Sequence, residues 1–430
     1  MTLAKGTAAA RLLILPFLLG MIWAFATPPP INGTPTGAQW GNFHPDEGSH
    51  VSVVMYMASH AFALPPYVPP YDTGVHPPLY HELAALLFAA ARAVLSAENA
   101  LRVVRLLSVF AGLGTVWFAY RAARQTRFAR AVALPAALLI ALIPMRLSLS
   151  GAITNENFAA LGATATLALL YENIRFGFRG RRFAALVFWC AVAIGSKITA
   201  LGLVVAIGAG MLYVRSWRGE PLRLPALRFA ALLVSIGASL GWWFVYNTVN
   251  YGDPLRKAAA DRLWDAVQPG YAVLGVRNGF APWRYMVALL HQSGRSFWGV
   301  FDGFSHPFPP VVYAVLFAAQ LAALIGAASG LPRILLRSRT ERAIGVTTGI
   351  FAAWVFLVFV QYNWAHYTPQ GRYFFVLLAP FGILMAGGMN ALLRRIAAPP
   401  ATRQIVWYAI GAFLLLLNLY AVTVMPRRLP

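Results

Sequence analysis

The chain has 430 residues, 59% of them hydrophobic and only 11% charged; soluble domains carry roughly 25% charged residues, so a soluble globular class is excluded. The formal net charge is +22, from 35 Lys and Arg against 13 Asp and Glu. This surplus does not indicate nucleic acid as a partner, because most of the arginines cluster between apolar stretches, as membrane topology alone requires.

The first apolar stretch, 11–27, follows Lys5 and Arg11. Ala24-Phe25-Ala26 has the form of a signal-peptidase site, but further apolar stretches follow, so an uncleaved signal anchor is expected. The next stretch, 76–95, opens with His76-Pro77-Pro78 and carries Glu82 and Arg92. Stretches 101–120, 131–150 and 155–172 come next, each near the ~20 residues needed to cross a bilayer. The stretch 183–213 has 31 residues. As one helix it would be about 46 Å long, against a hydrocarbon core of about 30 Å. Arginines flank both of its ends, so it is expected to be a hairpin turning near Lys197, with that lysine at the outer surface. The remaining stretches are 226–246, 311–331, 343–361, 373–393 and 404–425. Cys190 stands alone in an apolar stretch and forms no internal disulfide.

Charge decides how 76–95 sits. If it spanned, every later Arg cluster would lie outside, against the positive-inside rule. As an interfacial helix it leaves five clusters inside: those around Arg121–Arg130, Arg175–Arg182, Arg215–Arg228, Arg333–Arg342 and Arg394–Arg403. Together with Lys5 and Arg11 they make 21 basic residues inside and 14 outside, with Glu172, Glu220 and Glu341 inside and 10 acids outside. The expectation is an all-α polytopic membrane protein of about 11 transmembrane helices, N-terminus cytoplasmic and C-terminus outside. Residues 1–430 read as a single integral membrane domain with two long outer loops, 28–100 and 247–310. The first loop holds two predicted helices, 46–62 and 77–95, around the Pro-rich stretch 65–70. The second is rich in Trp and Tyr, which suits a bilayer interface.

The outer acids are the chemical candidates, and Asp46-Glu47 leads because it opens a predicted helix just after the first span. Adjacent carboxylates on a helix diverge by about 100°, so one could take a proton while the other orients a ligand. Helix capping competes, since an acid in the first turn stabilises by ~0.3–1 kcal/mol and Pro45 suits that position. Thr154-Asn155-Glu156-Asn157 forms an outward tip, where an ordinary polar turn is the alternative. Lys197, and Arg372 in Gln370-Gly371-Arg372-Tyr373, could hold a phosphate; snorkelling to the interface is the alternative. His44, His50, His60, His76 and His81 lack the spacing of a zinc protease motif, and neither a phosphate-cradling Gly-rich loop nor a GxSxG elbow occurs.

Several short motifs together resemble a known superfamily. Pro45-Asp46-Glu47, His76-Pro77-Pro78-Leu79-Tyr80, the turn at Glu156, Gly195-Ser196-Lys197-Ile198-Thr199, Tyr251-Gly252-Asp253-Pro254-Leu255 and Gly371-Arg372-Tyr373 resemble, in this order, the GT-C glycosyltransferases. The resemblance is to bacterial polyprenyl-phosphate-dependent enzymes, similar to protein O-mannosyltransferases and lipid A aminoarabinose transferases. It implies a GT-C-like fold with juxtamembrane helices in the first outer loop, a polyprenyl-phosphate-linked sugar donor, and a glycan, lipid or protein acceptor at the membrane. Asp46 would be the general base of an inverting transfer, with Glu47 and Glu156 as the other catalytic acids. Lys197, Arg372 and Tyr373 would bind the donor phosphate, and His44, His76, Tyr80, Asn155 and Asp253 the substrates. The resemblance leaves metal dependence open; a divalent metal, Mg²⁺ or Mn²⁺, where one is used, would be held by Asp46 and Glu156. The superfamily pattern has Asp where this chain has Glu156, and Gln or Lys where it has His76. The implied location is the inner (plasma) membrane, with the active site on the periplasmic or extracellular side. A transporter or flippase of a lipid-linked substrate is the rival class; its usual marks are internal repeats and midplane charges, and the sequence shows no repeat and no acid within an expected span.

Overall fold

A computed structural model describes residues 3–27, 29–30, 44–265, 268–301 and 304–423. Residues 28 and 31–43 of the first expected loop, and 266–267 and 302–303 of the second, lie outside the described residues. The described chain is helical: α1 (Leu3–Ala26), α2 (Glu47–Ser59), α3 (Leu79–Arg92), α4 (Ala97–Gln125), α5 (Ala133–Ala141), α6 (Pro144–Ser150), α7 (Glu156–Phe176), α8 (Gly180–Ser196), α9 (Gly202–Arg218), α10 (Arg223–Tyr251), α11 (Lys257–Trp264), α12 (Pro282–Trp298), α13 (Pro310–Arg337), α14 (Arg339–Ala365), α15 (Leu378–Arg395) and α16 (Pro400–Thr423). A two-residue antiparallel ladder, Val300–Phe301 against His306–Pro307, follows α12.

Among the described residues, seven helices are long and apolar enough to cross a membrane, or eight if the bent pair α5–α6 counts as one span. The sequence expectation was about 11. All the expected stretches are helical, but α8 has only 17 residues and the apolar part of α1 only Leu12–Ala26. The third shortfall is α7, which carries Glu156, Glu172 and Arg175 and is buried from Glu156 to Ile174 except at Phe158. It is a protein-facing central helix, so its composition is not constrained by lipid.

The stretch 131–150 is also not one straight helix: α5 and α6 meet at 65°. Pro144 opens α6 and has no amide hydrogen to donate back into α5. Buried Arg146 covers part of the break by donating to the carbonyls of Ala141 (3.4 Å) and Gly112.

The stretch 183–213 is a hairpin. Helix α8 stops at Ser196, Lys197 is extended, and a 3₁₀ turn, Ile198–Leu201, leads into α9. Helix α3 has 14 residues, about 21 Å at the α-helical rise and too short to span. At the end of the bundle away from Lys197, the acids expected inside pair with the arginine clusters: Glu172 with Arg121 at 2.7 Å, Glu220 with Arg228 at 2.5 Å, and Glu341 with Arg175. Ser338 caps α14 there by accepting from the Glu341 amide at 3.3 Å.

Helices α7 and α8 touch through Gly162, where an added Cβ would lie 2.6 Å from the Ala193 amide nitrogen. Asn155, just before α7, donates to the Ser196 carbonyl at 3.0 Å. The start of α7 and the end of α8 are therefore locked side by side, which fixes where Glu156 and Lys197 can point.

Candidate active site

Four charged side chains from four parts of the chain meet at this end of the bundle. Asp46 immediately precedes α2 in the left-handed region (φ 60°), which Asp tolerates better than most residues. Its carboxylate makes no capping bond to α2; instead it accepts from Arg372. Asp46 thus does not cap α2 through its side chain: α2 begins with the Asp46 carbonyl, bonded by the His50 amide at 3.1 Å, and the acid in its first turn is Glu47. Arg372 also donates to the Pro45 carbonyl at 3.2 Å and lies 3.9 Å from Glu156 through Nε. Glu156 in turn is bonded by the Lys197 ammonium, which sits 4.7 Å above the Tyr373 ring. Acid and base alternate, Asp46–Arg372–Glu156–Lys197, with no net formal charge.

Burial differs across this array. Glu156, Lys197 and Arg372 are 3–4% exposed, whereas the Asp46 side chain retains 25% of its surface. Lys197 was expected at the outer surface; it sits at the expected turn but is enclosed by protein, because the paired carboxylate removes the need for water. Neither Lys197 nor Arg372 snorkels.

The loop carrying Arg372 is held by close backbone approach. A Cβ on Gly371 would lie 2.2 Å from the Ser293 carbonyl oxygen of α12, and the Gly371 amide donates to Ser296 at 2.6 Å. Only glycine admits this contact, and it sets the direction of the next side chain.

A cavity of about 90 Å³ opens on the array. Its lining includes Asp46, His76, Asn155, Glu156, Lys197, Arg372 and Tyr373, all expected at the site from the sequence, together with His50, Asp72, Trp264, Gln370 and Tyr362, which were assigned no role there from the sequence. Asp72 accepts from Ser49 at 2.6 Å. Burial pushes its carboxyl up to about 6, and the Asp46 charge adds to this while the Ser49 bond opposes it. His50 stacks on His81 with 2.9 Å between ring nitrogens, and its other nitrogen lies 3.3 Å from Thr154. Burial, with Lys197, His81 and Arg372 nearby, holds His76 well below its ordinary range, and burial alone lowers His81 to about 4. The histidines here are neutral bases at pH 7.

Four of the sequence candidates stand elsewhere. Glu47 is 1% exposed and accepts from Arg105 at 2.8 and 2.7 Å and from the Ile153 amide at 2.8 Å, so both its oxygens are engaged inside the protein. Arg105 also donates to the carbonyls of Ala24 and Thr27, tying α1 to α2 and α4. Glu47, expected among the catalytic acids, stands in the structure as a buried ion paired with Arg105. His44 is enclosed between Thr27 (2.9 Å) and Ser148 (2.7 Å). Tyr80 is fully buried, 3.1 Å from Ser108 and accepting from the Thr154 amide at 3.0 Å. Asp253 caps a turn, accepting from the amides of Leu255 and Ala258. None of the four lines the cavity.

Among the described residues no group of three or more His, Cys, Asp and Glu side chains converges. Asp46 and Glu156, the expected ligands, are each bonded to a cation.

Residues 75–243 match the family model described as dolichyl-phosphate-mannose-protein mannosyltransferase. None of the curated proteins matches the chain. In fold the chain is similar to ArnT from Cupriavidus metallidurans bound to undecaprenyl phosphate, with 14% identity and a TM-score of 0.55 over 99% of this chain and 73% of that one. It is also similar to the oligosaccharyltransferase of Archaeoglobus fulgidus in complex with zinc and sulfate, with 14% identity and a TM-score of 0.53 over 96% of this chain and 52% of that one. The chain therefore shares the fold of these two structures, and the family match lies within residues 75–243.

Proposed function

We propose that the chain transfers a sugar from a polyprenyl-phosphate carrier to an acceptor hydroxyl, with inversion, and that Asp46 is the general base. The observation that carries this reading is the Asp46–Arg372–Glu156–Lys197 array, in which the most exposed member is a carboxylate and the two cations lie behind it. A donor phosphate entering the cavity would draw Arg372 and Lys197 toward its oxygens, with Tyr373 beneath Lys197. Arg372 leaving Asp46 would free that carboxylate to accept a proton. The acceptor oxygen then forms a bond to the anomeric carbon as its proton passes to Asp46. The bond from that carbon to the phosphate oxygen breaks, and its electron pair stays on the phosphate, stabilised by the two cations.

Glu156 would hold Lys197 in place before the donor arrives, and His76 and Asn155 would contact substrate from the cavity wall. We place the site on the outer face of the inner (plasma) membrane, with the N-terminus cytoplasmic; the arginine clusters at the opposite end of the bundle support this orientation. Incubation of the purified chain with radiolabelled polyprenyl-phosphate sugars tests the reading. Release of free carrier phosphate together with a labelled product is expected, and retention of the intact donor would overturn it.

A further inference from the structure

None of the five residues of the Tyr251-Gly252-Asp253-Pro254-Leu255 motif lines the Asp46 cavity. Their geometry serves the residue that follows. Gly252 ends α10 in the left-handed region (φ 70°), with its amide bonded to the Thr248 carbonyl at 3.0 Å. Asp253 then caps the turn into α11, accepting from the amides of Leu255 at 2.9 Å and Ala258 at 3.2 Å. Arg256 is also left-handed (φ 54°), a conformation unfavourable for a residue with a Cβ, so its side-chain contacts must hold it there.

Those contacts join the two long outer loops. Arg256 is 1% exposed. Its Nε donates to the side-chain oxygen of Asn247, and its Nη1 donates to the Gly74 carbonyl at 3.0 Å. Asn247 in turn donates to the Pro254 carbonyl at 3.0 Å, so its amide is fixed at both ends. The Tyr251, Tyr246 and Trp243 rings lie 4.6, 5.5 and 5.9 Å from the guanidinium carbon.

Gly74 belongs to the 3₁₀ turn Asp72–Val75. Asp72 and Thr73 before it, and Val75 and His76 after it, line the cavity. Ser49 anchors the first end of this turn, donating to Asp72 at 2.6 Å and accepting from the Thr73 amide at 3.2 Å. At the other end, His76 Nδ1 is buried without a hydrogen-bond partner, so the ring is placed by the backbone that carries it. After burial, Lys197 is the largest influence lowering His76, which puts the ring on the Lys197 side of the cavity.

We infer that Arg256 is a positioning residue, which sets His76 against the donor by holding the Gly74 carbonyl. This rests on the proposed transfer, in which His76 contacts substrate and Lys197 the donor phosphate. Arg256 does not line the cavity itself and acts only through the turn.

The test is a double-mutant cycle on the binding of undecaprenyl phosphate, measured by isothermal titration of the purified full chain in detergent. Arg256→Gln should elute as the wild type does and weaken binding about tenfold, on the scale of one charge-assisted hydrogen bond. Arg256→Lys should restore most of that loss. His76→Ala alone should also weaken binding. Adding Arg256→Gln to it should change binding by less than about twofold, because residues that act as one unit are not additive. If Arg256→Gln does not fold, Tyr251→Leu removes the nearest ring instead and should show the same dependence on His76. Unchanged binding in Arg256→Gln, or in Tyr251→Leu where that variant stands in, overturns the inference. So does the full loss appearing again in the His76→Ala background, which is what a merely structural role would give. Transfer is assayed separately: coupled binding without any transfer would refute the proposed reaction and not the positioning role. Transfer with additive effects on binding would refute the positioning role alone.

Discussion

Arg372 donates to both the backbone carbonyl of Pro45 and the carboxylate of Asp46, across 327 and 326 positions of sequence. The same guanidinium therefore holds the backbone in front of Asp46 and neutralises its charge. Removing the proton acceptor while keeping the shape isolates the chemistry. Asp46→Asn should lower transfer by about 10²–10⁴-fold, the usual worth of general-base assistance. Its elution on size exclusion and its helical circular dichroism should remain those of the wild type. Transfer at the wild-type rate would remove Asp46 from the mechanism.

The neighbouring residue should behave differently. Arg105→Met strands the Glu47 carboxylate in a site that is 1% exposed, and breaking a buried pair costs about 3–5 kcal/mol. The melting temperature in detergent should fall sharply. The double variant Glu47→Leu with Arg105→Met should recover much of the loss, since no charge is then left unpaired. A double variant no more stable than Arg105→Met would contradict the structural role.

Lys197→Gln and Glu156→Gln dissect the cation side of the array. Lys197→Gln removes a phosphate contact and should raise KM for the donor as well as lower kcat. Glu156→Gln leaves Lys197 buried without its carboxylate partner, so it should also reduce stability. Equal stability of both variants, with transfer unchanged, would argue against the array as the donor site.

Asp72 predicts a pH dependence. Its carboxyl in the folded chain is pushed up to about 6, above the ordinary carboxylate range near 4. The folded state therefore keeps this proton longer than the unfolded chain does. Stability is highest below the unfolded value and declines as pH rises from about 4 to about 6, then levels off. Asp72→Asn should flatten that decline, so the variant gains on the wild type at pH 7 and not at pH 4. Melting curves across this range, in a detergent that does not titrate, provide the check.

Gly371→Ala tests the positioning of Arg372 without touching a charge. A methyl group 2.2 Å from the Ser293 carbonyl cannot be accommodated without moving the loop. Transfer should drop at least about tenfold, in line with the sensitivity of reacting geometry to displacements of 1 Å. Alanine at 371 with full activity would show that the close approach does not set the geometry.

Charge and length, read from the sequence, were enough to place the hairpin turn at Lys197 and to keep 76–95 from spanning, because both follow from bilayer thickness and the arginine clusters. Fewer helices meet the length and composition of a span than the about 11 expected, because α7 is surrounded by protein and carries acids at its ends, and α8 and the apolar part of α1 are short. The divergence of Asp46 and Glu47 followed from helix geometry, yet which of them faced inward depended on Arg105. That residue sits in an apolar stretch, 58 positions from Glu47. His44, Tyr80 and Asp253 stand off the cavity for the same reason: motif order says which residues lie at one end of the bundle, not which way each side chain turns. Asp72 sits in a short 3₁₀ turn after the Pro-rich stretch, where no periodicity signals an inward face.

The alternating charges at the site also have a bearing on selectivity. Because Arg372 and Lys197 are already matched by Asp46 and Glu156, the resting pocket projects little field into its surroundings. A stray chloride or a lone carboxylate gains nothing by entering, for it would have to separate two good pairs and replace neither. Only a ligand with several oxygens, able to engage both cations at once, compensates for both separations. In the proposed reaction the same ligand would uncover Asp46 as it binds, so the base would be exposed when its partner is in place and masked at other times.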